Sequence, residues 1–331
     1  VAQLQSHWLK LTPVSVMLLP LAGVFALIVW LRRRAYRYRL RPVYHVGVPV
    51  IVVGNITAGG SGKTPLVIWL VRHLHSLGYR PGVVSRGYGG SADRSCVVQA
   101  DSDASVVGEE PLLIHYKTQA PVVIGRDRVD AARVLLARHP GIDLIVSDDG
   151  LQHYALHRDL ELAVFDSMVG TGNGLPLPAG PLREPVSRLS SVDAVVSVMR
   201  GDEAKSGTGF AVRFGLGLAY RLCDPATRVA LADLPQTGWL ALAGIGRPQG
   251  FFDMLTRLGW QFTARAFPDH HRYCPADIPS DARVVMTEKD AVKCLAFAHP
   301  DWWALELDVE PDAALMAFLA DRLPRLTGMP R

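Results

Sequence analysis

The chain has 331 residues, 49% of them hydrophobic and 20% charged, a composition that excludes general disorder and a length that allows two domains with ample cores. Its formal charge of +4 is local: Arg32, Arg33, Arg34, Arg37, Arg39 and Arg41 crowd ten positions, and the rest of the chain is net acidic, which argues against nucleic acid as a partner. Four scattered cysteines, with no CxxC pair and no metal-ligand spacing, argue against a disulfide framework and against zinc.

From Leu11 to Leu31 the chain runs 21 residues without a charge and then meets Arg32-Arg33-Arg34. That length matches a bilayer-crossing helix. No small-residue cleavage site follows, and the arginines sit on the wrong flank for a signal peptide. Pro20 would kink a helix here. Arginines interleaved with Tyr36, Tyr38 and Tyr44 suit an anionic membrane surface, so residues 1–42 are expected to attach the protein to a membrane, spanning it or lying in its interface. The basic flank places the rest of the chain on the cytoplasmic side.

Val50-Ile51-Val52-Val53 reads as a buried strand, Gly54 to Gly62 as a glycine-rich loop, and Lys63 to Leu74 as a helix. Strand, loop and helix in that order form a P-loop. Backbone N–H groups of Thr57, Gly59, Gly60, Ser61 and Gly62 can wrap an oligophosphate, Lys63 can reach its outer phosphates, and the Thr64 hydroxyl can sit on Mg²⁺. The pattern ends as it should in Gly62-Lys63-Thr64, but Thr57 stands where the first glycine is usual.

Pro81 to Ser85 makes a second strand, and Ser85-Arg86-Gly87-Tyr88-Gly89-Gly90 follows it at the carboxyl edge of the sheet, where open α/β sheets bind ligands. Gly108-Glu109-Glu110-Pro111 opens a helix, and its two acids complement the helix dipole. After a strand at Val122 to Ile124 come Arg126 and Arg128. A further strand runs into Ser147-Asp148-Asp149-Gly150-Leu151-Gln152-His153. An apolar strand ending in an acid, downstream of a P-loop, puts that carboxylate beside Mg²⁺, so Asp148 is the metal-side acid. Asp149 either supports it or acts on the nucleophile.

Glu161 to Asp166 is another strand. It leads into a long loop from Gly170 to Glu184 whose charged pair is Arg183 and Glu184, and Ala194 to Met199 closes this half. The alternation predicts a mainly parallel sheet with helices on both faces. Gly201 to Gly209 is polar and glycine-rich and reads as a boundary. Beyond it a smaller α/β unit carries a strand at Trp239 to Ala243, a helix from Gln249 to Leu258, Asp269-His270-His271, and a strand running into Thr287-Glu288-Lys289-Asp290. The predicted organisation is an anchor at 1–42, a P-loop core domain at 43–205, and a smaller domain at 206–331 that closes over the site.

Taken together, these stretches resemble the tetraacyldisaccharide 4'-kinases, the lipid A 4'-kinases of Gram-negative bacteria. The resemblance rests on Val53 to Thr57 with Gly62 to Pro65, Ser85 to Gly89, Asp148 to His153, Leu177 to Glu184, Phe267 to His271, and Thr287 to Asp290. It implies a kinase at the cytoplasmic face of the bacterial inner membrane, using ATP and Mg²⁺ to phosphorylate the 4'-hydroxyl of a tetraacylated glucosamine disaccharide 1-phosphate, the lipid A disaccharide precursor. It also accounts for Thr57, since the family resembles this chain in lacking the first P-loop glycine.

The family commonly reads Gly-Asp-Glu-Pro where this chain has Gly108-Glu109-Glu110-Pro111. Its proposed base, carried over, falls on Glu109, paired with His270. Asp149 is the rival base. Arg86, Tyr88, Arg128, Gln152, His153, Arg183 and Glu184 are candidates for holding acceptor or ATP phosphates. A P-loop ATPase recruited to a membrane as a switch or partner-binding module is the alternative, although Thr287-Glu288-Lys289-Asp290 does not supply a guanine-reading Asn-Lys-x-Asp.

Overall fold

In a computed structural model, which describes residues 7–200, 209–279 and 281–328, the predicted alternation is present. In chain order the first part contains helices α1 (Pro13–Met17) and α2 (Leu19–Arg37), strand β1 (Val50–Gly54), α3 (Lys63–Ser76), β2 (Pro81–Ser85), β3 (Cys96–Val98), α4 (Ala104–Val107), α5 (Glu109–Thr118), β4 (Val122–Ile124), α6 (Arg128–Arg138), β5 (Leu144–Asp148), β6 (Leu160–Asp166) and β7 (Ala194–Arg200). The second part adds β8 (Phe210–Arg221), β9 (Asp224–Val229), β10 (Trp239–Ala243), α7 (Pro248–Arg257), β11 (Phe262–Ala266), β12 (Val284–Thr287), α8 (Glu288–Cys294), β13 (Trp302–Pro311) and α9 (Ala313–Thr327). The glycine-rich boundary expected at 201–209 lies, apart from Gly209, outside the described residues.

The strands join in one sheet ordered β11-β10-β12-β13-β8-β7-β6-β1-β5-β2-β4-β3, with β9 paired to β8. From β8 through β4 neighbours are parallel, and β3 closes that edge antiparallel. β1 is buried along its whole length because both faces are covered. Its side chains alternate between two cores, Ile51 and Val53 facing α3 and α5 while Val50 and Val52 face α6. Burial on both faces is why β1 reads as an unbroken apolar run.

β13 pairs antiparallel with β8, so β12, β10 and β11, parallel to β13, run against the first set. These strands build two cores of their own. The final helix does not stay with them: Leu315, Leu319 and Leu323 of α9 return to the core around α3.

The N-terminal segment departs from expectation. The apolar run is broken at Leu18 into α1 and α2, and α2 carries Arg32, Arg33, Arg34 and Arg37 in its last two turns. Its apolar part, Leu19 to Leu31, rises about 20 Å at 1.5 Å per residue, short of a hydrocarbon core of about 30 Å. Among the described residues no helix is long and apolar enough to cross a membrane, so the spanning alternative of the two expected has no helix here to carry it. The outward side chains of α2 are nevertheless apolar: Leu21, Val24, Leu27, Ile28, Trp30 and Leu31 are all more than half exposed.

Candidate active site

The P-loop connects the carboxyl end of β1 to the first turn of α3. Gly59 and Gly62 have φ of 108° and 82°, a region that favours glycine, and a Cβ on Gly62 would lie 2.7 Å from the Phe214 ring. Gly62 caps α3 without any side-chain hydrogen bond, so the first-turn amides of the helix remain free to meet an anion. The Ser61 hydroxyl is buried nearby without a hydrogen-bond partner among the described residues.

Thr57, expected to contact phosphate, is turned to other work. Its N–H donates to Asn55 Oδ1 at 3.1 Å, and its hydroxyl accepts from Asn55 Nδ2 at 2.6 Å. Its backbone bridges Leu182, and the flanking Arg183 N–H and Ala58 N–H bond across the same junction to Ile56 and Pro181 carbonyls at 2.6 and 2.7 Å. A glycine is unnecessary here because Thr57 does not occupy the left-handed region.

Two adjacent carboxylates face this loop in unlike settings. Asp148, at the end of β5, is 1% exposed; its Oδ2 accepts from the Ser85 hydroxyl at 2.9 Å and its Oδ1 has no hydrogen-bond partner among the described residues. Burial, with Glu110 and Asp149 nearby, pushes its pKa up to about 6. A buried carboxylate with an unsatisfied oxygen, close to the Lys63 side of the loop, is the donor a hard cation takes. With Thr64, 2% exposed in the first turn of α3, it fits Mg²⁺.

Asp149 adopts φ of 48°, which turns its carboxylate to Lys63 Nζ at 3.5 Å and to Arg183 Nη1 at 2.9 and 3.2 Å. Burial alone would raise its pKa, but Lys63 and Arg183 outweigh it and hold the group well below the usual carboxylate range. A carboxylate so paired is a poor proton acceptor and a good spacer between two cations.

A second cluster lies where α5 meets the second unit. Glu109, in the first turn of α5, is 5% exposed, and His270 Nδ1 stands 3.1 Å from its Oε1. The contact expected to form on domain closure is already made in this structure. His270 has φ of 61°, and the exposed Tyr88 ring lies 5.3 Å from the imidazole. Burial would raise the Glu109 pKa, but His270, Lys293 and Lys289 together bring it below the ordinary value. The Glu109 contact raises that of His270, against the opposing effect of burial. Glu109, Asp269 and His270 bring ligand atoms within 4.8 Å of one another, but Lys293 Nζ at 3.2 Å from Glu109 Oε2 already supplies a cation there.

Four predicted ligand candidates have partners within the protein in this structure. Arg128 is 2% exposed and donates to the carbonyls of Gly125 and Asp148 at 2.7 and 2.9 Å, and burial pushes its pKa down to about 10. Gln152 donates to the Asn55 carbonyl at 2.9 Å. His153 accepts the Arg128 N–H at 3.1 Å, a role that suits a ring whose pKa burial lowers to about 4. Glu184 is buried against the Tyr154 hydroxyl and Arg188. Arg86 and Tyr88 are exposed at the carboxyl end of β2, and Arg183 is partly exposed beside Asp149, so these three keep open positions.

Two residues without an assigned role in the sequence, Lys289 and Lys293 of α8, reach the Glu109-Glu110 pair: Lys289 contacts Glu110, and Lys293 contacts Glu109. Their spacing of one helical turn was the available signal, but nothing local shows which acids they meet.

A family profile described as Tetraacyldisaccharide-1-P 4'-kinase matches residues 14–324. The Tetraacyldisaccharide 4'-kinase of Thiobacillus denitrificans is 57% identical over 320 residues, covering 96% of this chain and 97% of that protein. That of Methylobacillus flagellatus is 46% identical over 325 residues, covering 98% and 96%. A crystal structure of LpxK from Aquifex aeolicus in complex with ATP matches with a TM-score of 0.80 at 25% identity, over 95% of this chain and 99% of that one.

Proposed function

The chain belongs to the tetraacyldisaccharide-1-P 4'-kinase family, and we propose how its own residues carry out that family's reaction. It is an ATP-dependent phosphotransferase of lipid A biosynthesis that phosphorylates the 4'-hydroxyl of a tetraacylated glucosamine disaccharide 1-phosphate. Phosphoryl transfer asks a protein chiefly for positioning and charge neutralisation.

The amides of Gly59 to Gly62 and the first turn of α3 cradle the phosphates, and Lys63, kept in place by Asp149, reaches the outer ones. Thr64 and Asp148 would hold Mg²⁺, which when bound neutralises charge on the transferring phosphoryl group. Arg183 and Arg86 are the open cations left for acceptor or nucleotide phosphates, and Tyr88 can lie against the acceptor sugar.

The acceptor proton goes to the Glu109–His270 pair. Glu109 is buried, with Oε1 3.1 Å from His270 Nδ1 and Oε2 3.2 Å from Lys293 Nζ, whereas the His270 side chain is 31% exposed, so the imidazole presents the pair to the acceptor and Glu109 fixes and charges it. The observation that supports this division is the 3.1 Å approach of two residues from opposite units, set apart from the cation-locked Asp149.

The exposed apolar face of α2, ending in its arginines, supports attachment in the interface of the inner membrane at its cytoplasmic face, with anionic lipids as partners. Incubating the protein in detergent with γ-labelled ATP, Mg²⁺ and the tetraacylated disaccharide 1-phosphate tests the reaction. Label is expected in the lipid. Release of labelled phosphate to water with none in the lipid would contradict it and favour a switch ATPase.

A further inference from the structure

Lys293 is buried beside the acceptor-activating pair without belonging to the P-loop or to any phosphate contact described above. Its side chain is 7% exposed, its Nζ lies 3.2 Å from Glu109 Oε2 and 2.9 Å from Asp290 Oδ1, and it sits 5.0 Å from the centroid of the Tyr273 ring. Asp290 is itself fully buried and accepts from the Gly244 N–H and from the hydroxyls of Tyr273 and Thr287. The ammonium is therefore anchored from below by the second unit and presented upward to a carboxylate of the first. Ion pairing with Asp290 alone would satisfy a buried lysine; the second carboxylate is the one the reaction uses.

We propose that Lys293 is a positioning residue for acceptor activation, holding the Glu109 carboxylate between its ammonium and the His270 imidazole. With Oε2 beside Lys293, Oε1 is left to His270 Nδ1, and the other imidazole nitrogen, Nε2, lies 3.6 Å from Oδ2 of the exposed Asp269. The inference rests on the reading of Glu109 and His270 as the proton-accepting pair.

The groups that face Glu109 are Glu110 on α5, Lys289 and Lys293 on α8, and Asp269, His270 and Tyr273 on the loop after β11, with Asp290 and Cys294 beside Lys293 and Tyr88 beyond the imidazole. Burial pushes the Glu109 carboxyl up, and the contacts that bring it below its ordinary value are His270, Lys293 and Lys289. Loss of Lys293 leaves burial less opposed, so the pair should retain its proton to higher pH.

The test uses the full chain with Lys293→Met and Lys293→Arg, each in the wild-type and Glu109→Gln backgrounds, assayed with ATP and the disaccharide 1-phosphate across pH. Lys293→Met is expected to lower kcat by about tenfold or more, a share of general-base catalysis. It should leave KM for ATP little changed and move the acid limb of kcat to higher pH; Lys293→Arg should restore most of the rate. In the Glu109→Gln background Lys293→Met should cost nothing further, since a residue acting through Glu109 has nothing left to act on. Should Lys293→Met fail to fold, Lys293→Gln, which keeps a donor for Asp290, is read in the same way. An unmoved acid limb, or an equal loss in both backgrounds, would overturn the proposal. Wild-type turnover in Glu109→Gln alone would instead remove the base reading beneath it, so the two failures are told apart.

Discussion

Asp148 and Asp149 are neighbours in the chain with opposite chemistry, and the difference is set by where each side chain points. Asp148 stays in the strand, buried with an unsatisfied oxygen, and Asp149 turns through a positive φ onto two cations. Glu109 and His270 form the third setting, a carboxylate and an imidazole 3.1 Å apart, each favouring the charged form of the other. Because the His270 pKa is raised above its ordinary 6.5, the pair loses its capacity to accept a proton as pH falls through a value above 6.5. We expect kcat at saturating substrates to rise with pH across that value, and a kcat flat from acid to neutral pH would contradict the assignment. The sign for stability is opposite: a raised folded-state pKa stabilises fully below 6.5 and is lost as pH rises through the raised value, so the stability difference between wild type and His270→Ala should shrink with pH. At this scale the chain was legible in the placement of side chains that a local motif dictates, as with Lys63 and Thr64 at the start of α3 and Asp148 at the end of β5. The protein partners of Arg128, Gln152, His153 and Glu184 were not legible, because they are backbone groups and side chains that only the packed fold brings near. Lys293 escaped for the same reason, since Glu109 lies far from it in sequence.

Among the elements, the loop from Gly170 to Glu184 joins two functions. At one end the Asn173 side chain donates to the Ser15 hydroxyl at 3.4 Å, its N–H bonds the Trp8 carbonyl at 2.7 Å, and Trp8 Nε1 donates to Pro178. At the other end it is hydrogen-bonded to the start of the P-loop through Ala58 and Arg183. The N-terminal segment and the nucleotide loop therefore share one support. The exposed apolar face of α2 with its basic end should bind vesicles containing anionic lipid, each arginine contributing about 1 kcal/mol near the surface. Replacing Arg32, Arg33 and Arg34 together by Ala should weaken binding in sedimentation by about two orders of magnitude at low salt. Equal binding by the triple variant, or by neutral vesicles, would contradict the proposal of an interfacial anchor. Strands buried on both faces were readable as apolar runs. β3, β8, β9 and β13, whose apolar runs are short or interrupted by exposed positions, and β11, which is mostly exposed at the sheet edge, carry weaker patterns and were missed. The choice between spanning and interfacial attachment was not legible because a count of uncharged residues ignores the break at Leu18 and the arginine turns that shorten α2.

Across the whole molecule, one sheet carries two sets of strands of opposite direction, and α9 returns from the second set to the core of the first. A division at one point in the sequence cannot express that return, nor that β8 continues the parallel set and the direction changes between β8 and β13. The sets are further tied by Lys117 of α5, buried between Glu288 of α8 and Glu306 of β13 at 2.6 Å from each, with Arg228 of β9 2.8 Å from Glu306. Lys117→Met leaves two largely buried carboxylates short of a partner and should destabilise by about 3–5 kcal/mol. Urea unfolding should show that loss in a single transition for the entire chain, and an unchanged midpoint would contradict the coupling. The same junction sets Glu109 from one side against His270 from the other, and the direct test of that arrangement is kcat at saturating ATP and disaccharide 1-phosphate for Glu109→Gln beside Asp149→Asn. Glu109→Gln is expected to lose about 10²–10⁴ in kcat with KM for ATP little changed, while Asp149→Asn, which frees Lys63 and Arg183, should act mainly on KM for ATP. Wild-type turnover in Glu109→Gln, with the loss of kcat appearing in Asp149→Asn instead, would contradict the account.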